Sequence, residues 1–84
     1  MMKLNDMITK AKAKKAQKEF NEIMRSYDQH ITDLQDQEHE WRKMAWDPTL
    51  SAKDRAFARY QVTILAEMIY NTVRERSQFM MRSF

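Results

Sequence analysis

Between Phe20 and Ala45 the apolar positions fall alternately four and three residues apart. Phe20, Met24, Tyr27, Ile31, Leu34, Trp41 and Ala45 make the stripe, and only Glu38 interrupts it. That spacing holds one face of an α-helix against a neighbouring helix. Ala13, Ala16 and Ile23 fall on the same side, giving an apolar arc about 100° wide, suited to one partner. The pattern predicts a first helix over 12–46.

The second half of the chain reads differently. Phe57, Ile64 and Met68 form one stripe, and Val62, Ile69, Val73 and Met80 form another, with Ala58 and Leu65 between them. They predict a second helix over 52–81, with an apolar arc of about 200°. One neighbouring helix cannot cover that width. Either an N-terminal segment folds back over it or a second chain docks there. Leu4, Met7, Ile8 and Ala11 form a short stripe out of phase with the Phe20 stripe. This predicts an arm over 1–11: either the chain bends between Ile8 and Lys12, as a short separate helix or a frayed arm, or the segment packs on something different.

The punctuation between the helices is "WDPTLSAKD", Trp46 to Asp54. Pro48 disfavours helical geometry at Asp47, which ends the first helix near Trp46. Ser51, with an acid three residues on at Asp54, resembles a capping box and predicts a turn over 47–51. A competing start places Pro48 in the first helical position.

Composition narrows the fold further. The chain has 84 residues, no glycine, no cysteine and one proline. A length of 84 predicts one domain. Tight hairpin turns between strands usually need glycine, so its absence favours long helices. The expected fold is all-α: a long antiparallel helical hairpin with a short N-terminal helical arm, assembling into a helical bundle. No disulfide or thiolate metal site is available. The longest mostly apolar run, Val62 to Tyr70, contains Glu67 and falls far short of the roughly 20 residues of a membrane span. No signal-peptide pattern is present, so the expected location is the cytoplasm. Small, glycine-free, methionine-rich helical chains are of the kind phages encode as accessory factors, in which case the cytoplasm is the host's.

The net charge of +3 conceals three blocks. Residues 1–18 carry six lysines against Asp6, residues 19–40 carry seven acids against Arg25, and residues 41–84 carry eight bases against four acids. Blocks of alternating sign can set the register of paired helices. Lys10, Lys14 and Lys18 recur every four residues opposite Phe20 and Tyr27, with Lys15 beside them. Farther along, the same face carries Glu22, Asp33, Asp36 and Glu40, so it turns from basic to acidic.

Few residues suggest chemistry. His30 and His39 are the only histidines, and Asp36 with His39 is half of a dicarboxylate metal pattern that needs a second copy. Ser26, Ser51, Ser77 and Ser83 lie in no nucleophile elbow, and a chain without glycine has no Gly-rich phosphate loop. No enzyme activity, metal or cofactor is expected.

The basic residues carry more weight. Lys10, Lys14, Lys15 and Lys18, with Arg55, Arg59, Arg74, Arg76 and Arg82, are candidates for phosphate contacts, and Trp41, Trp46, Tyr60 and Tyr70 for base stacking. The acidic middle opposes this. The competing expectation pairs Arg59 with Glu38, and Arg74 or Arg76 with Glu19 or Glu22, across the hairpin. The favoured function is therefore that of a small accessory or regulatory protein. It acts by protein–protein binding through helical surfaces and self-associates, as a homodimer or larger bundle. Leu65, Met68, Ile69 and Val73 are the candidate self-association residues, and Leu4, Met7 and Ile8 are the candidate contact for an additional partner protein. The alternative is an accessory nucleic-acid-binding protein that uses the lysine face.

Overall fold

The computed structural model describes residues 3–83. Two helices account for nearly all of them: α1, Leu4–Ala45, and α2, Ala52–Arg82. They pack antiparallel along each other in a hairpin measuring 74 × 18 × 10 Å. Its radius of gyration is 20.9 Å, against about 12 Å for a compact chain of this length. The hairpin is a rod.

No bend separates an arm from α1. The helix runs unbroken from Leu4, so the segment 1–11, as far as it is described, forms its first turns. The region is rich in Ala, Lys, Met and Leu, and no glycine or proline interrupts it. A stripe out of phase forces a bend only where the helix has a neighbour, and here it has none. At about 1.5 Å per residue, α1 outruns α2 by roughly 16 Å. The whole excess lies at the open end of the hairpin, because the turn joins the helices at the other.

The turn follows the sequence closely. Asp47 accepts hydrogen bonds from the Thr49 hydroxyl (2.6 Å) and the Thr49 backbone N–H (2.9 Å). These two bonds, the hydroxyl first, hold the Asp47 carboxyl below its ordinary pKa, and Arg55 adds to the effect. The depressed pKa means that the contribution to stability is complete above the ordinary carboxylate value near 4 and is lost as pH falls through the depressed one. Pro48 lies inside the turn, so the competing helix start there is not taken. The Ser51 Oγ accepts from the Asp54 backbone N–H at 3.1 Å and caps α2. Ser51→Ala should therefore cost about 0.5–2 kcal/mol, read by thermal unfolding, because it leaves that N–H without its cap. A loss within error would mean that water replaces the cap at no cost.

The seam between the helices is narrow. On α1 it is the Phe20-to-Ala45 stripe, every member of which is buried or half-buried. On α2 it comprises Ala58, Val62, Leu65, Ile69, Thr72 and Phe79, spaced four and three. Leu34, Ala45, Ala58 and Leu65 are the fully buried apolar residues among those described. Thr72 is tolerated in the seam because its hydroxyl donates to the Met68 carbonyl at 2.8 Å, which satisfies a buried polar group. Aromatic rings close both ends. Trp41 meets the edge of Phe57 at 5.7 Å near the turn. At the open end Phe79 stacks on Phe20 at 5.7 Å and leans on Tyr27 at 6.0 Å.

Candidate protein-interaction surface

The helical repeat sets what the seam leaves outside. α1 covers the middle of the wide arc, Ala58 and Leu65, together with Val62 and Ile69 of the second stripe. Both edges of the arc remain outside, with Phe57 and Met68 on one side and Val73 and Met80 on the other, all exposed. The reason is spacing. Ala58, Leu65 and Thr72 recur every seven residues, in step with Phe20, Tyr27, Leu34 and Trp41, whereas the Phe57 and Val73 stripes flank that line.

The residues singled out from sequence thus separate. Leu65, 6% exposed, belongs to the intrachain seam, and Ile69 is half-buried there. Met68 and Val73 are exposed on opposite edges of α2. Leu4, Met7 and Ile8 are exposed on the part of α1 that extends past α2, and they do not fold back over it.

The two sides of the hairpin differ in character. Asp28 and Arg76 meet across one edge in an ion pair of 2.8 Å. Arg59 lies over the Trp46 ring on that side, 5.6 Å from its centroid, and Glu38 pairs with Arg42 within α1. The expected pairings of Arg59 with Glu38, and of Arg76 with Glu19 or Glu22, are thus replaced. Arg59 uses an aromatic face, Glu38 finds a base one turn away on its own helix, and Arg76 reaches Asp28. At partly exposed positions each ion pair is worth only about 0–1 kcal/mol.

The other side gathers more of the exposed apolar residues, with His30 and Gln37 between those of α1 and Gln61 among those of α2. Ile23 is five residues from Asp28, which turns it to the opposite flank of the α1 seam, and Met44 is three heptads farther along the same line. Met68 is likewise turned away from Arg76 on α2, with Phe57 and Ile64 on its side. Ile23, Met44, Phe57 and Met68 are exposed, with Phe57 and Met68 at 54% and 42%, and Ile64 is half-buried. That these residues share one side of the hairpin could not be read from the sequence, because it depends on which flank of α1 lies beside which flank of α2.

The remaining candidates stay apart. Lys10, Lys14, Lys15 and Lys18 are all exposed, and among the described residues none takes part in an ion pair. Arg55 is half-buried near the turn, and its Nε is buried without a hydrogen-bond partner. Trp41 is packed in the seam, whereas Tyr60 and Tyr70 are exposed. Asp36 and His39 lie exposed one turn apart, and no group of three His, Asp or Glu side chains among the described residues could hold a metal ion. No helix among the described residues is long and apolar enough to cross a membrane. Ala13, Ala16, Phe20, Ile23 and Phe79 line an open recess of about 680 Å³ where α2 ends.

Surface area gives a scale. A folded monomer of 10.2 kDa exposes about 5,300 Å², whereas this hairpin exposes 7114 Å². The excess is roughly twice the 800 Å² that each partner buries in a standard interface. No family, no curated protein and no solved structure matches the chain.

Proposed function

We propose that this hairpin is a small accessory or regulatory protein that works by protein–protein binding, and that its first partner is a second copy of itself. The apolar face formed by Ile23, Met44, Phe57, Ile64 and Met68 carries the reading. Large exposed apolar side chains gathered on one side of a small chain mark an interface. The surplus of exposed area is more than one partner's share of a standard interface. A two-fold dimer places the same face on both sides of the contact, so one apolar face suffices.

The test is the mass in solution by light scattering on a size-exclusion column. The wild type is expected to run as a dimer or larger assembly at micromolar concentration. Phe57→Gln with Met68→Glu should release helical monomers, since both side chains lie outside the seam. A monomeric wild type, or a double variant that still assembles, would overturn the proposal.

One observation favours the second reading, nucleic-acid binding: four exposed lysines without acidic partners within the chain. On duplex DNA that reading requires log affinity to fall with log salt by about 0.9 per phosphate contacted. Replacing Lys10, Lys14, Lys15 and Lys18 with Gln would then flatten the slope. We expect only weak, salt-sensitive binding, because the seven acids of residues 19–40 repel phosphate.

A further inference from the structure

The apolar face has a shape that limits what can cover it. It lies on the antiparallel pair α1 and α2, and one helix laid along the groove between them would cover both of its edges. The chain contains a helical segment with no neighbour of its own, the turns of α1 that extend beyond α2. That segment bears Leu4, Met7 and Ile8, all exposed, on one stripe, and Lys10, Lys14, Lys15 and Lys18 along the same turns.

Charge supplies the direction. The first 18 residues carry six lysines against one acid, and residues 19–40 carry seven acids against one base. Two α1 helices laid parallel and in step would set lysines against lysines and acids against acids. Two laid antiparallel, about a two-fold axis near residues 21–23, set Lys10 opposite the Asp33 region and Lys15 opposite the Asp28 region, with Lys18 near Arg25. In that register Ile8 and Ala11 of one copy reach residues 35 and 32 of the other, at the level of Ile64 and Met68 on the partner's α2, with Leu4 and Met7 farther toward Tyr60. Because Phe79 sits at the level of Phe20, each α2 ends near residue 26 of the partner's α1, so the groove beside the partner's residues 27–39 stays clear. End-to-end overlap of the extensions alone, across the recess at Phe79, would bring two basic segments together and is disfavoured.

Resting on the self-association proposed above, we infer that the two copies exchange their N-terminal extensions. Each extension lies antiparallel along the partner's α1, its apolar stripe on the Ile64–Met68 face and its lysines against the partner's acidic run. The arrangement gives one occupant to the extension and to the apolar face alike. It also makes assembly sensitive to salt, because the lysines and acids stay near the rim.

A charge exchange tests it. Chains with Lys10→Glu and Lys14→Glu, and chains with Asp33→Lys and Asp36→Lys, should each assemble roughly tenfold or more weakly than wild type, because like charges then face each other. An equimolar mixture should recover assembly as mixed pairs, seen by light scattering. Carbodiimide coupling of the wild type adds a second measurement. It should join Lys10 or Lys14 to Asp33 or Asp36, groups that are roughly 30 Å or more apart along one helix and can couple only between copies. The Lys43–Glu40 pair, 3.3 Å apart within one chain, serves as the internal control for coupling. A wild-type dimer with the Lys43–Glu40 link but none from Lys10 or Lys14, or a mixture that fails to pair, would overturn the exchange and leave self-association standing. A monomeric wild type would overturn both.

Discussion

Leu65→Ala is expected to lower stability by about 2–5 kcal/mol, the range for truncating a buried leucine. Few other residues of the hairpin bear such a load. Leu65 is one of four fully buried apolar residues among those described, and two of the others are alanines. Total stability for a chain this size is of order 4–13 kcal/mol, so one substitution removes a large share. The melting temperature should fall by about 4–8 °C for each kcal/mol, read by circular dichroism at a fixed concentration. Glu67→Ala, two residues on and exposed, should stay within about 0.5 kcal/mol of wild type. If the two variants melted alike, Leu65 would not be in the seam.

Phe79→Ala should open the far end of the rod. Its ring holds Phe20 and Tyr27 together where α2 runs out, and no seam side chain beyond it on α2 is large. The ring is half-buried, so the expected cost is about 2–3 kcal/mol, below the 3–5 of a fully buried phenylalanine. The effect should be local as well as global. Hydrogen exchange is expected to quicken over residues 74–82, while the amides around Leu65 stay protected until the hairpin unfolds as a whole. Uniform quickening along both helices would mean that the rod unfolds as one unit and that its ends have no separate stability.

The turn and the α1 seam were legible because they depend on neighbours in sequence. Pro48, Asp47 and Ser51 act on backbone groups within four residues, and the structure keeps them in those roles. The Phe20-to-Ala45 stripe was legible because a four-three rhythm suits only one helical face. α2 was harder. Its apolar arc is wider than one neighbour can cover, so several lines through it fitted a helix equally well. The true seam passes through Thr72, a polar residue that a search for apolar stripes passes over, although its hydroxyl finds the carbonyl one turn back. The extent of α1 was also misjudged. A shift of stripe left two readings, a bend or a segment that packs on something different, and the helix runs on without the bend because it has no neighbour to bend against.

By itself, the sequence determined that the chain makes two long helices, where they turn, and which face of the first meets the second. Helical periodicity, proline and a serine cap are local causes and act before any packing. Only the tertiary structure decided which line through α2 is buried, how far α1 extends past it, and on which side the leftover apolar residues of both helices merge. Those outcomes depend on the relative rotation and register of two helices. The interlock of Leu34, Leu65, Phe20 and Phe79 sets them, and side chains so far apart in the chain meet only once the hairpin has closed.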